Sequence, residues 1–400
     1  MAQTYYPHLP GKLLAIGLLL AFGMFMPLIV VPPIEDVLGK EFAIAHAQTA
    51  LLYSLPVAML ALVAIPSGFL GDRIGLKKVL GIGAVVMTVG SALRGVTNSY
   101  PVALAFTLVY GLGLGLCFPN VPKLARHCSL RERSHFTVSL FTAGILASGA
   151  VALSITRPWL LPITNSSKGV FLVSAAPVFL AAVLWWFFVS DPPCEASGVE
   201  AVGVDSAALR KVIARRDLWL VAVLFFLHNF VLYTFVGWLP GYLVSIGAGA
   251  KISGLITSVT FWAGLLSVLI LSEVSTRLGR RKPFLWAPTL LLILAMYGVL
   301  YINVPASWVL VFFSGIATTI RFATILNLPV EMVGPGLGGS ASGLVMSIGY
   351  IGALVGPLLG GIFLDRTGSY RWIFLSMAIV SVVTLVFAFL VPETLKKKEK

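Results

Sequence analysis

The chain reads as an all-α membrane protein, with twelve transmembrane helices in two pseudo-symmetric six-helix bundles. Three observations predict this class. Hydrophobic residues make up 58% of the 400 positions and charged residues only 11%. The apolar residues fall into twelve stretches, each long enough to cross a bilayer. Landmarks in the first half also return in the second at nearly constant spacing. A soluble domain carries about 25% charge. Twelve spans of roughly 20 residues would use about 240 apolar residues, close to what this chain holds. The composition excludes a soluble enzyme, a disordered chain and a small disulfide-stapled domain.

Bounded by charge, Pro or Gly, the predicted spans are 12–31, 48–70, 79–97, 101–125, 135–157, 169–190, 217–244, 252–271, 283–302, 306–331, 340–364 and 372–391. Orientation follows from Lys and Arg, which concentrate on the cytoplasmic side of membrane proteins. Of 28 such residues, 20 fall at the N-terminus, in the even-to-odd loops and in the C-terminal tail. Seven fall on the opposite side, counting helix ends, and Arg321 alone lies inside a span. Both termini are therefore expected in the cytoplasm, with the chain multi-pass in the cell inner (plasma) membrane. The net charge of +13 serves orientation rather than nucleic acid. The longest hydrophilic stretch divides the chain into an N-terminal bundle (1–190), a cytoplasmic linker (191–216) and a C-terminal bundle (217–400). Within the linker, Ser206 to Arg216 suits a short basic helix at the lipid headgroups.

The halves echo each other. The loop after span 2 reads Gly68-Phe-Leu-Gly71-Asp72-Arg73-Ile-Gly75-Leu-Lys77-Lys78. The loop after span 8 reads Ser272-Glu273-Val-Ser-Thr276-Arg277-Leu-Gly279-Arg280-Arg281-Lys282. Gly75 and Gly279 are 204 positions apart; Asn120-Val-Pro122 and Asn327-Leu-Pro329 are 207 apart. Two landmarks at nearly one offset indicate a parallel six-helix repeat. In these loops, and in the Gly352, Gly356, Pro357, Gly360 and Gly361 series of span 11, the chain resembles the major facilitator superfamily. Trp238-Leu-Pro240 at the end of span 7 resembles that family's cyanate/nitrate-like and organic anion:cation symporter branches. The resemblance implies two bundles alternating access to a central site. It also implies a conformational latch at the loop clusters, here Gly68, Asp72, Arg73, Gly75, Lys77 and Lys78 with Arg277, Gly279 and Arg281. Physically, Asp72 is an acid among cations that can pair with them or with a helix N-terminus. Gly68 and Gly71 permit close helix approach, and Gly75 permits a tight turn.

Transporters of this build bind solute near the midplane, between the halves. An ionisable residue there costs at least ~2.5–3.5 kcal/mol, which marks Arg321 as the first candidate. At ~1.5 Å per residue it lies about halfway along span 10. Span 7 adds His228 and Asn229, with Tyr233 one turn beyond Asn229. Asn120 and Asn327, nearer the cytoplasmic ends, either line the inner vestibule or bond the carbonyls that Pro122 and Pro329 leave free, and the second is the favoured expectation. No Asp or Glu lies deep in any span, so a cavity holding Arg321 attracts anions and repels cations. A coupling proton would ride on a weak-acid solute or on His228. Gly111-Leu-Gly113-Leu-Gly115 lies inside a span and suits helix packing, not a nucleotide. His127, Cys128 and His135 lack a fourth ligand for a metal.

The expected function is secondary active transport of a small organic or inorganic anion, by a protein sufficient as a monomer and needing no cofactor. Efflux of amphipathic drugs is the alternative within transport. A non-transporting receptor or scaffold on the same fold is the alternative of another class. No enzymatic constellation and no ATP-binding motif are present in the sequence.

Overall fold

The computed structural model describes residues 10–127, 134–189, 206–333 and 337–394; within helices it omits the side chains of Pro10, Phe69, Asp72, 126–127, 134–136, 206–209 and 269–278. Cys128 and most of the predicted linker lie outside the described residues, and so does the side chain of His135.

The first half runs through α1 (Pro10–Ile29), a short α2 (Glu35–Phe42), α3 (His46–Ile74), α4 (Leu76–Arg94), α5 (Tyr100–Cys117), a short α6 (Val121–His127), α7 (Ser134–Ile155), a single turn α8 (Leu161–Thr164) and α9 (Ser167–Phe188). The second runs through α10 (Ser206–Ile213), α11 (Arg216–Ser245), α12 (Ala250–Leu278), α13 (Pro283–Gly298), α14 (Val304–Met332), α15 (Gly338–Thr367) and α16 (Arg371–Leu390). Among the described residues twelve helices are long and apolar enough to cross a membrane. Helices prevail because no water is present in a bilayer core to satisfy backbone groups, so each span must satisfy its own.

Within the first half, α1 packs against α7 and α9, and α4 against α5 and α9. Within the second, α11 packs against α15, and α14 against α12 and α13. The two groups meet along α3 with α15 and along α7 with α12. The expected short helix is present as α10. Its Val212 is buried with Leu218, Val333 and Ala341, while Arg210 and Lys211 face outward.

Both copies of the repeated loop turn on a left-handed glycine. Gly75 has φ +93° and Gly279 φ +62°, a region that a Cβ disfavours. The stripe at Gly111, Gly113 and Gly115 packs on α3 and α4 as expected; a Cβ at each would stand 2.5–2.8 Å from Pro56, Met87 or Val63. Gly71 likewise abuts the Asn120 side chain. Gly68 does not fit the close-approach expectation, because a Cβ there would meet open space within 4 Å. Its carbonyl instead accepts from Lys123 Nζ at 2.9 Å.

The two repeated asparagines have diverged. Asn120 is buried, and its Nδ2 donates to Leu116 O and to Ser67 Oγ, both at 2.9 Å. Asn327 is exposed and, among the described residues, bonds only Ala323 O, at 3.0 Å. Both reach the carbonyl four residues before themselves. That is not the one their proline frees, which lies two residues further on; at Pro122 the freed Phe118 O accepts from the Val121 N–H instead.

At the end opposite the termini, the far end, the two groups are clasped. Asp365, in the last turn of α15, accepts from the first backbone N–H groups of α3, His46 and Ala47, each at 2.9 Å. This is the position where a helix leaves its N–H groups unpaired and favours a negative charge. Trp238 of α11 meets the His46 ring edge-on at 6.1 Å.

Candidate functional site

Arg321 lies inside α14 and is wholly buried. Its Nε donates to His228 Nδ1 of α11 at 2.9 Å, and its Nη1 donates to Thr289 Oγ1 of α13 at 3.2 Å. Thr289 passes its own proton to Leu285 O at 2.7 Å, so its lone pairs face the guanidinium. Three helices thereby fix one cation. Nη2 has no partner among the described residues, and neither does His228 Nε2. Among the described residues no carboxylate pairs with Arg321, and its charge is uncompensated by any of them.

Aromatic rings close around this pair. Phe225 stacks on the His228 imidazole with centroids 6.1 Å apart and planes 14° apart, and Phe322 covers it at 5.8 Å. Tyr350 of α15 meets Phe225 edge-on at 5.4 Å. Phe118 and then Phe25 extend the ring contacts into the first half, at 6.0 and 5.6 Å. Removing water in this way strengthens any charge interaction made inside. Tyr53 of α3 faces Tyr233 of α11 at 5.9 Å across the boundary between halves. A narrow crevice toward the far end runs past Tyr53, Gly237, Trp238 and Pro357, with Glu35 at its edge.

Of the residues expected from sequence, Arg321 and His228 come together. Asn229 turns away from them: its Nδ2 donates to Gly349 O of α15 at 3.1 Å, and its Oδ1 is unpaired among the described residues. Tyr233 joins Tyr53 rather than the guanidinium. Thr289, Phe322, Tyr53 and Tyr350 were not foreseen. Nor was the burial of Arg94, the last residue of α4. Its guanidinium lies between the Tyr110 and Phe171 rings, at 4.9 and 4.6 Å, and donates to Pro27 O at 2.8 Å.

In the loop clusters, Arg73 and Lys78 are exposed and Lys77 is half-buried. The side chains of Asp72 and Arg277 lie outside the described residues. Arg281 serves the second half internally. Its Nη2 donates to Glu331 at 2.6 Å, and its backbone N–H donates to Glu393 at 2.7 Å, tying the end of α14 to the segment after α16.

Thr289 makes a specific prediction. Thr289→Val keeps the shape but removes the acceptor for Nη1, leaving another buried donor unpaired. At about 1–3 kcal/mol for such a group, affinity for a solute held by Arg321 is expected to fall roughly tenfold as the guanidinium swings from position. Direct binding titration of the variant checks this; unchanged affinity would show that Thr289 does not hold Arg321 in place.

The family model for the Major Facilitator Superfamily matches residues 13–254 and 245–400. The chain belongs to that superfamily. Among its relatives, the cyanate transport protein of Escherichia coli (strain K12) is 23% identical over 363 residues, covering 89% of this chain and 91% of the relative. The probable sulfoacetate transporter of Cupriavidus necator is 26% identical over 382 residues, covering 88% and 87%. A solved bacterial homologue of the human lysosomal transporter Spinster, inward-facing and unoccupied, shares the fold with a TM-score of 0.78. It is 16% identical, and the match covers 97% of this chain and 98% of that one. This superfamily member is a multi-pass membrane transporter and not an enzyme.

Proposed function

We propose that the transporter moves a small organic or inorganic anion by alternating access, with Arg321 as the electrostatic anchor. One observation carries the reading: a wholly buried guanidinium has a free N–H group and no carboxylate partner among the described residues. A bound anion would offset the desolvation that an unpaired cation otherwise bears. The relatives named for cyanate and sulfoacetate transport are in keeping with a solute of this charge. The hydroxyls of Tyr53, Tyr233 and Tyr350 make no hydrogen bond among the described residues and would complete a polar lining. A proton moving with the anion would neutralise its charge during the crossing.

The two moving bodies are residues 1–190 and 217–400, joined by the 191–216 linker, with both termini in the cytoplasm. The protein works as a monomer. Contacts along α3 with α15 and α7 with α12 are the surfaces on which the bodies rock. The loop at 68–78 latches the cytoplasmic side through Asp72, so Asp72→Asn is expected to slow turnover about tenfold, the effect of ~1.4 kcal/mol, while solute affinity stays within about twofold. Separate measurement of exchange rate and binding constant decides this, and a pure affinity loss would argue against the latch.

The direct test of the function is uptake by proteoliposomes. Radiolabelled cyanate and sulfoacetate should enter saturably, faster with an inward proton gradient, and compete with other small anions. Transport of lipophilic cations with no anion uptake would replace this reading with drug efflux.

A further inference from the structure

The hydrogen bond between Arg321 and His228 fixes more than a position. A guanidinium nitrogen can only donate, since every Arg nitrogen carries protons and none accepts. His228 Nδ1, 2.9 Å from Arg321 Nε, must therefore present a lone pair. A doubly protonated imidazole has none. The ring is thus neutral while this bond holds, and its single proton must sit on Nε2.

Nε2 is buried and, among the described residues, has no partner; the same holds for Arg321 Nη2. Among the described residues the Phe225 and Phe322 rings and the guanidinium itself lie against the imidazole. None of them accepts a hydrogen bond from Nε2. Thr289 is committed to Arg321 and to Leu285 O. Two neighbouring side chains therefore offer N–H groups, and neither the guanidinium nor this imidazole has a free lone pair for a ligand that itself donates.

We infer that Arg321 and His228 form a donor-only pair, in which Arg321 selects the Nε2–H tautomer of His228, and that this tautomer is a solute-binding donor. The inference deepens the anion reading and rests on it for the identity of the ligand class. The pair accepts a group that brings only acceptor oxygens or nitrogens, such as a carboxylate, sulfonate or cyanate. It rejects the corresponding amide or protonated acid, whose own N–H or O–H would face another donor. His228 also cannot carry the coupling proton in this state, because the position that would take it already receives the Arg321 N–H. A co-transported proton must then reside elsewhere.

The test uses the full-length protein in liposomes with 15N-labelled histidine. The chain has five histidines, and the resonances of His228 are assigned by their loss in His228→Gln. Solid-state NMR of the wild type between pH 5 and 8 should show one bare nitrogen, at Nδ1, and one protonated nitrogen, at Nε2, unchanged by pH. In Arg321→Gln the same ring should lose this pH-independence. An imidazolium, or the Nδ1–H tautomer, in the wild type at any pH in that range would overturn the proposal. Adding millimolar methanesulfonate, a small acceptor-only anion, should shift Nε2, whereas neutral methanesulfonamide should not. Equal shifts from both would overturn the donor-only selectivity. The tautomer and the anion reading fail separately: an Nε2–H ring with no shift from methanesulfonate or from a panel of small carboxylates and cyanate removes the solute-binding role and leaves the tautomer standing.

Discussion

Arg321→Gln is expected to reduce anion transport by about a hundredfold or more, equivalent to ~2.7 kcal/mol, without lowering the melting temperature. The two halves of this expectation have separate causes. Transport falls because the solute loses its counter-charge inside a site sealed by Phe225, Phe322 and Tyr350. Stability holds because the empty protein buries this cation with no carboxylate beside it among the described residues, a situation that costs free energy rather than supplying it. Gln keeps enough length and polarity to engage His228 or Thr289. If Arg321 were only a strut, the variant would lose two charge-assisted hydrogen bonds worth about 1.5–3 kcal/mol each. Its melting temperature would then drop by several degrees in step with activity. Uptake and thermal unfolding measured on one preparation separate the cases.

Gly361→Val is the second large effect, and it acts far from the anchor. A Cβ at Gly361 would stand 2.5 Å from Ala47 Cα and 2.6 Å from Ala47 N, with the His46 carbonyl carbon at 2.9 Å. All three are backbone atoms of the opposite half, so no side-chain rotation relieves the clash. Overpacking of this kind costs about 1–3 kcal/mol. Here it can be relieved by separating α15 from α3, which also pulls Asp365 off the His46 and Ala47 N–H groups. The variant should therefore rest open at the far end, with transport lost and anion binding from that side retained. Ala50, buried just below the clasp, gives the readout. In a background lacking the native cysteines, Ala50→Cys should react with an impermeant maleimide in the Gly361→Val protein and be protected otherwise. Equal labelling with and without Gly361→Val would show that this contact does not gate the far end.

The spans were legible because a bilayer imposes both a length and an apolar composition on every crossing helix. Arg321 was legible for the same reason, as a charge where charges are costly. Its partners were not. His228 and Arg321 are 93 positions apart, and no local periodicity connects two helices of one bundle. Thr289 reads like any small polar residue in an apolar helix, and only the packing shows that its lone pairs face a guanidinium. Tyr53 and Tyr350 gain meaning only when α3 and α15 are laid against α11. Arg94 stands near the end of span 3, and by sequence alone it is one of the seven Lys and Arg residues on the side opposite the termini. Yet α4 brings it inward to the Pro27 carbonyl, between two rings that accommodate a cation. The near-constant offset between halves located the repeat but concealed that Asn120 is buried and Asn327 exposed. Equivalent positions had been given different neighbours.

The central claim is that Arg321 binds an anion, and thermal unfolding of the detergent-purified protein with and without ligands tests it most directly. A bound solute stabilises the fold by mass action, reaching about 2.7 kcal/mol at a hundred times its dissociation constant. Small carboxylates, sulfonates or cyanate should raise the melting temperature of the wild type and leave Arg321→Gln unmoved. Stabilisation by lipophilic cations, equal in both proteins and absent with every anion, would contradict the account.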